Sequence, residues 1–305
     1  MPVPADDPAE LERLVVADDA GSLERYLAGF ELTVSVMQDA PALERIAYEL
    51  AADAAAEGVR YLEVRYCPTL NTRMGLPLAE AVEAPLRGLE RAHAELGVRG
   101  TVIVCALRHL EPATSRRLAK LAAEYRGRGV VGFDLAGPEL GHPAREHREA
   151  FAVAAEAGLG LTVHAGEADG PASIRQALDD CRAQRIGHGT RLHEDPPLLA
   201  RVRAAGIPLE VCLTSNVQSG AVASYDVHPV RGYLDQGLAV TLNTDNRLIS
   251  GTTLTDELGK AHHHLGFTWA DLLAVSRASF QHAFLPTDER AQLLAAFDRE
   301  VGSPR

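Results

Sequence analysis

The chain has 305 residues, 46% hydrophobic and 24% charged, which suffices for a full core and excludes a disordered or fibrous class. A formal charge of −12 excludes nucleic acid and anionic membranes as main partners and fits a small neutral or cationic substrate. No apolar run approaches the ~18 residues of a membrane helix, and the polar, acidic start of the chain has no signal-peptide pattern.

In chain order, Asp7-Pro8-Ala9-Glu10 predicts a helix start, with Asp7 as N-cap, Pro8 at the first helical position and Glu10 completing a capping box. A second helix is expected over Ser22–Phe30. A longer one is expected over Pro41–Glu57, where Leu43, Ile46, Ala47, Leu50 and Ala54 recur at helical spacing before Gly58. Strand-like runs follow at Val59–Tyr66, Arg99–Leu107, Val130–Ala136, Gly160–Val163, Arg185–Gly187, Ile207–Leu213 and Ala239–Leu242. Helical patterns lie between them at Leu78–Leu96, Ala113–Arg126, Ala144–Ala157 and Pro197–Ala205. Three more follow near Asp256–Leu265, Thr268–Ala278 and Thr287–Val301.

This alternation predicts βαβ units, a parallel sheet and an α/β fold of the TIM-type (β/α) barrel. Seven strands are recognisable where a closed barrel has eight, and the stretch before Val59 reads as helix and loop, so the missing strand is the first. No Gly/Ser-rich or Pro-rich linker divides the series, and residues 1–305 are read as one domain. The four cysteines, Cys67, Cys105, Cys181 and Cys212, are scattered. That pattern predicts reduced thiols and a cytoplasmic protein.

Barrel enzymes gather their chemistry at the carboxyl ends of the strands. There the sequence places Asp134-Leu135-Ala136-Gly137-Pro138-Glu139, His164-Ala165-Gly166-Glu167, Arg185-Ile186-Gly187-His188-Gly189, Thr214-Ser215-Asn216 and Asn243-Thr244-Asp245-Asn246. Two histidines, a glutamate and an aspartate would converge. Histidine plus carboxylate suits zinc or a similar ion, whose bound water becomes a nucleophile near neutral pH.

These motifs, in this order, resemble the adenosine deaminase family of metal-dependent barrels. Tyr61–Pro68 and Val131–Gly137 are similar to its second and fourth strands, and the likeness runs from about Ser22 onward. The resemblance implies hydrolytic deamination of adenosine or 2′-deoxyadenosine to inosine or 2′-deoxyinosine and ammonia, with one Zn²⁺ as cofactor and a purine nucleoside as the small-molecule partner. It implies that His164 and Asp245 ligate the metal and that Asp245 also helps take a proton from the attacking water. His188 would orient that water, and Glu167, protonated, would donate to purine N1. Gly137 would present backbone to N3. Asn246 stands where the family commonly has aspartate, and its amide NH₂ donates to an acceptor such as N7 at any pH.

The resemblance fails at the front. The family's first strand carries a histidine–any–histidine pair, whereas no histidine precedes His93 here. The expectation is that Met1 is an internal methionine preceded by ~40–50 natural residues, one βα unit and its loop. The short form is expected to bind metal weakly and to have little or no activity. Two rival readings stand beside the first: a deaminase of adenine or another 6-aminopurine, and an inactive nucleoside-binding fragment. The sequence has no signal for oligomeric state.

Other groups have plainer readings. His262, His263 and His264 point about 100° apart on a helix and do not converge on one ion. His193 reads as a loop or helix-start residue. Glu63 and Arg65 read as buried ion-pair partners, and Asp134 as either a support for the site or a layer residue. Thr214-Ser215-Asn216 is expected to position its loop by local hydrogen bonds, and Cys67 and Cys212 to pack in the core.

Overall fold

In this computed structural model residues 4–302, apart from 6 and 19, are described. Seven strands form one parallel sheet in chain order: β1 (Tyr61–Tyr66), β2 (Arg99–Leu107), β3 (Val130–Ala136), β4 (Gly160–Ala165), β5 (Arg185–His188), β6 (Leu209–Val211) and β7 (Val240–Leu242). The sheet curls as a TIM-type barrel does, but among the described residues β1 and β7 do not pair. Side chains tie the chain on either side of that seam. Arg247 pairs with Glu57, whose carboxylate also accepts from the Thr255 amide, and the Phe284 N–H donates to Glu63 at 2.6 Å.

Strands with the longest β-branched runs have the bounds their sequence predicts. β2 presents Val102, Ile103, Val104, Cys105 and Ala106, all buried, because helices cover one face and the barrel interior the other. Outside the sheet, Phe133 of β3 meets Phe151 edge-on, with ring centroids 5.2 Å apart.

Several bounds move. Ile207–Leu213 contracts to Leu209–Val211, because Cys212 is the N-cap of a helix over Leu213–Gln218. Thr214, Ser215 and Asn216 therefore lie on a helix. The helix Pro171–Asp179 joins β4 to β5, and Val230–Asp235 precedes β7. Asp7 does cap the helix Pro8–Val15, accepting from the Ala9 N–H. The second predicted helix is broken at Gly29 into Leu23–Ala28 and Phe30–Ser35.

The barrel interior is charged. Arg65 of β1 reaches Glu210 at 2.6 Å and Asp134 at 3.5 Å, and Arg185 of β5 reaches Glu63 at 2.6 Å. The Arg185 Nε also lies 2.6 Å from Glu210, close but not aligned as a hydrogen bond. Burial pushes the Glu210 carboxyl up, but Arg65 and Arg185 outweigh it and hold it down at about 2. Glu63 and Arg65 thus each stand in an ion pair, Glu63 with Arg185 and Arg65 with Glu210 and Asp134, as their sequence positions suggest.

The N-terminal helices lie across the loops that follow β6 and β7. Ala17 N–H donates to Ile249 O, Gly21 N–H to Gln218 O, and the Tyr26 hydroxyl bonds Ser250 at 2.8 Å. Leu27, Phe30 and Leu32 pack in the same small cluster as Ala168, the residue after Glu167.

Candidate active site

His164, next to last in β4, has its Nδ1 3.0 Å from an oxygen of Asp134, two residues before the end of β3. A carboxylate only accepts, so Nδ1 carries a proton, and in the neutral ring Nε2 keeps its lone pair. A carboxylate behind a histidine is also how proteins orient a metal-binding imidazole. Burial pushes the Asp134 carboxyl up, yet His164 and Arg65 hold it well below the usual carboxylate range. Burial alone would lower the His164 pKa, and Asp134 reverses that so that it is raised.

His188 ends β5, its ring centroid 5.0 Å from that of His164. Gly187 permits this approach, since a Cβ there would sit 3.1 Å from the His164 Cα. The His188 Nε2 lies 3.5 Å from Glu167 Oε2, and its Nδ1 2.9 Å from Asn216 Nδ2. The Glu167 pKa is raised by burial; His188 pulls against this and Asp245 adds to it. The Ser219 hydroxyl donates to its other oxygen at 3.0 Å.

Glu167 is held by its backbone as well. Glu139 accepts four successive N–H groups on its carboxylate: Gly166 at 2.6 Å, Glu167 at 3.0 Å, and Ala168 and Asp169 at 2.7 Å each. Gly166 turns the chain at φ +73°, a conformation that favours glycine.

Asp245 follows β7, is exposed, and accepts from the Ser215 hydroxyl at 2.7 Å. Among the described residues, three non-glycine positions have positive φ, and His188 (62°) and Asp245 (53°) are two of them. Such backbone costs roughly 1–3 kcal/mol and concentrates where side-chain placement matters. Asn246 caps the helix Arg247–Ser250, its Oδ1 accepting from the Ile249 N–H at 2.9 Å, and its NH₂ has no hydrogen-bond acceptor among the described residues. Gly137 lies on the loop between Asp134 and Glu139, where a Cβ would meet the His109 Nδ1 at 3.2 Å.

Of the residues singled out by sequence, His164, Glu167, His188 and Asp245 therefore meet in one place. Sequence reasoning missed the role of Glu139, though it stands in the β3 motif, and missed Ser219 and His228 outright. It also took Thr214-Ser215-Asn216 for a locally bonded loop. Ser215 instead holds Asp245 and Asn216 holds His188, while the buried Glu257 carboxylate accepts from the Thr214 amide and hydroxyl. His262, His263 and His264 are exposed on their helix, and His264 pairs with Asp226.

The donor set fits a divalent metal in part. His164 offers a lone pair and Asp245 a carboxylate, two donors where a catalytic zinc takes roughly three. Another trio, His188, Cys212 and Asp245, has donor atoms within 4.8 Å of one another. It suits a cation less well. The Asn216 amide already occupies one His188 nitrogen, and burial, then Asp245 and Glu257, keep the Cys212 thiol protonated.

A family model described as adenosine deaminase matches residues 1–300. The chain is 42% identical over 309 residues to an adenosine deaminase of Mycobacterium sp. (strain JLS), covering 96% of this chain and 85% of that one. It is 38% identical over 284 residues to a probable adenosine deaminase of Dictyostelium discoideum, covering 93% of this chain but 37% of that longer one. Among solved structures, an adenine deaminase from Arthrobacter aurescens superposes with a TM-score of 0.91 at 26% identity, covering 99% of this chain and 91% of its own. An amidohydrolase with bound Zn from Burkhoderia ambifaria gives 0.87 at 26% identity, covering 96% and 82%.

Proposed function

The chain belongs to the adenosine deaminase family, and on that premise we propose that it hydrolyses adenosine or 2′-deoxyadenosine to inosine or 2′-deoxyinosine and ammonia. The observation that carries this reading is the meeting of His164, Glu167, His188 and Asp245 from three strand ends, with hydrogen-bond partners that suit their separate roles.

Glu167, its pKa raised, enters the reaction as an acid and gives its proton to purine N1, leaving C6 open to attack. Water oxygen adds at C6, losing a proton to Asp245. His188, donating from Nε2, holds that oxygen and the charge that develops on it. Asp245 returns its proton to the exocyclic amine, which leaves as ammonia, and the C6 hydroxyl gives its remaining proton back to Glu167; both side chains are restored, and adenosine and water balance inosine and ammonia. The Asn246 NH₂ donates to N7, and the Gly137 backbone faces N3. His164 and Asp245 would hold the metal, and a divalent metal such as Zn²⁺ supplies an acidified water when bound.

The rival substrate is adenine, the base acted on by the Arthrobacter relative. That protein is 26% identical to this chain, against 42% for the mycobacterial adenosine deaminase, and the closer sequence favours the nucleoside. Turnover of adenosine, 2′-deoxyadenosine, adenine and adenosine monophosphate, read by absorbance, separates them; turnover of adenine alone refutes the reading. Metal content of purified protein separates an enzyme from an inactive nucleoside binder: stoichiometric metal with turnover supports the former, binding of adenosine without metal or turnover the latter. We place the protein in the cytoplasm as one barrel domain. Its four cysteines are all free and buried, which supports a reducing compartment, and no helix among the described residues is long and apolar enough to cross a membrane.

A further inference from the structure

Behind His188 runs a chain of hydrogen bonds that leads to a peptide group. The Val230 backbone N–H lies 3.2 Å from His228 Nδ1. A peptide N–H can only donate, so that ring nitrogen accepts and the His228 proton is on Nε2. The His228 Nε2 is 3.2 Å from Asn216 Oδ1, which accepts it. The Asn216 amide is thereby oriented with its NH₂ toward His188, 2.9 Å from Nδ1. All three side chains are buried: His188 is 2% exposed, Asn216 0% and His228 4%. Water is thus kept from offering any of them an alternative partner.

We propose that His228 and Asn216 are positioning residues that fix His188 as the Nε2–H tautomer, so that it meets the reacting oxygen as a hydrogen-bond donor and leaves proton abstraction to Asp245. Every link has one allowed direction, because the chain begins at a group with a proton and no lone pair to offer. Burial, with His188 and His193 nearby, pushes the His228 pKa down to about 3, which keeps its Nδ1 available as an acceptor. The two site histidines are then opposites. Asp134 leaves His164 a lone pair on Nε2, and Asn216 leaves His188 a proton there. This difference separates a metal-binding imidazole from one that cannot bind through that nitrogen. The inference rests on the proposed deaminase reading for its catalytic consequence, but the tautomer can be read without turnover.

The test is nitrogen NMR of the full chain labelled with ¹⁵N-histidine, alongside steady-state kinetics on adenosine. His188 is expected to show a protonated Nε2 in the parent. Asn216→Asp presents an acceptor to both neighbours and should move the His188 proton to Nδ1, with kcat falling ~100-fold or more and KM changing less than about threefold, as wrong-tautomer variants of other enzymes behave. His228→Leu introduces no buried charge and leaves the Asn216 amide free to turn over. It should give a mixture of His188 tautomers and a fall in kcat of ~10-fold. A parent spectrum with the proton on Nδ1 overturns the proposal whatever the variants do. So does an Asn216→Asp protein whose His188 carries a proton on Nε2 and none on Nδ1. If the parent has the expected tautomer but does not deaminate adenosine, the relay stands and the substrate reading falls.

Discussion

Replacing Glu139 with glutamine keeps the shape of the side chain and removes its charge and one acceptor oxygen. In the parent, one oxygen takes the Gly166 N–H and the other takes those of Glu167, Ala168 and Asp169. The glutamine amide can turn its oxygen to the three-donor side, which leaves its own NH₂ against the Gly166 N–H. Three charge-assisted bonds become neutral ones, each weaker by ~1 kcal/mol, and the fourth is lost. Allowing for non-additivity among donors that share one carboxylate, the cost is ~3 kcal/mol, or a fall in Tm of roughly 6–12 °C in a chain of this size. The same loosening acts on Glu167, whose backbone N–H is one of the four. A displacement near 1 Å costs ~100-fold in rate, and that is the fall in kcat expected, with KM for adenosine nearly unchanged. Thermal melts, kinetics and hydrogen exchange of residues 166–169 measure this together. If Tm drops as calculated but kcat stays within about threefold, the loop does not position Glu167 and the reasoning from geometry to rate is wrong.

Three further substitutions have expected outcomes. Glu167→Gln should lower kcat by ~10²–10⁴-fold with adenosine binding preserved, because an amide cannot supply the N1 proton. The folded pKa of Glu167 lies above the unfolded value of ~4.3, so the native chain holds a proton that the unfolded chain releases, and stability falls as pH rises through that interval. Glu167→Gln should therefore gain in melting temperature over the parent as pH rises from ~4, levelling off above the raised pKa; a gain that grows as pH falls would contradict this. Asp134→Asn should weaken metal binding by ~10–100-fold, measured by competition with a chelator, because an uncharged amide holds the His164 Nδ1 proton less firmly than the carboxylate does. Asn246→Ser keeps an oxygen to cap the helix Arg247–Ser250 but loses the amide donor, so KM should rise ~3–10-fold with little change in melting temperature.

The strand and helix alternation was legible from residues 59 to 242 because it is a local property. An apolar run such as Arg99–Leu107 is a strand buried on both faces, and the heptad-like spacing of Leu43, Ala47 and Ala54 is a helix wherever it packs. The short helices Pro171–Asp179, Leu213–Gln218 and Val230–Asp235 escaped notice because six to nine residues carry too few turns to show a period. The side chains proposed to do chemistry were likewise readable, since they stand at strand ends and a barrel brings all its strand ends to one face.

The residues that orient those groups were not readable, and the reason is physical. A hydrogen bond from Asn216 to His188 spans 28 positions, that from Gly166 to Glu139 spans 27, and the pair of Arg65 with Glu210 spans 145. No periodicity in the chain encodes such partners. By itself the sequence determined which side chains could act as acid, base or ligand. Which nitrogen of each histidine carries the proton, and hence which can bind a cation and which must donate, depends on neighbours that only the folded chain brings within 3 Å.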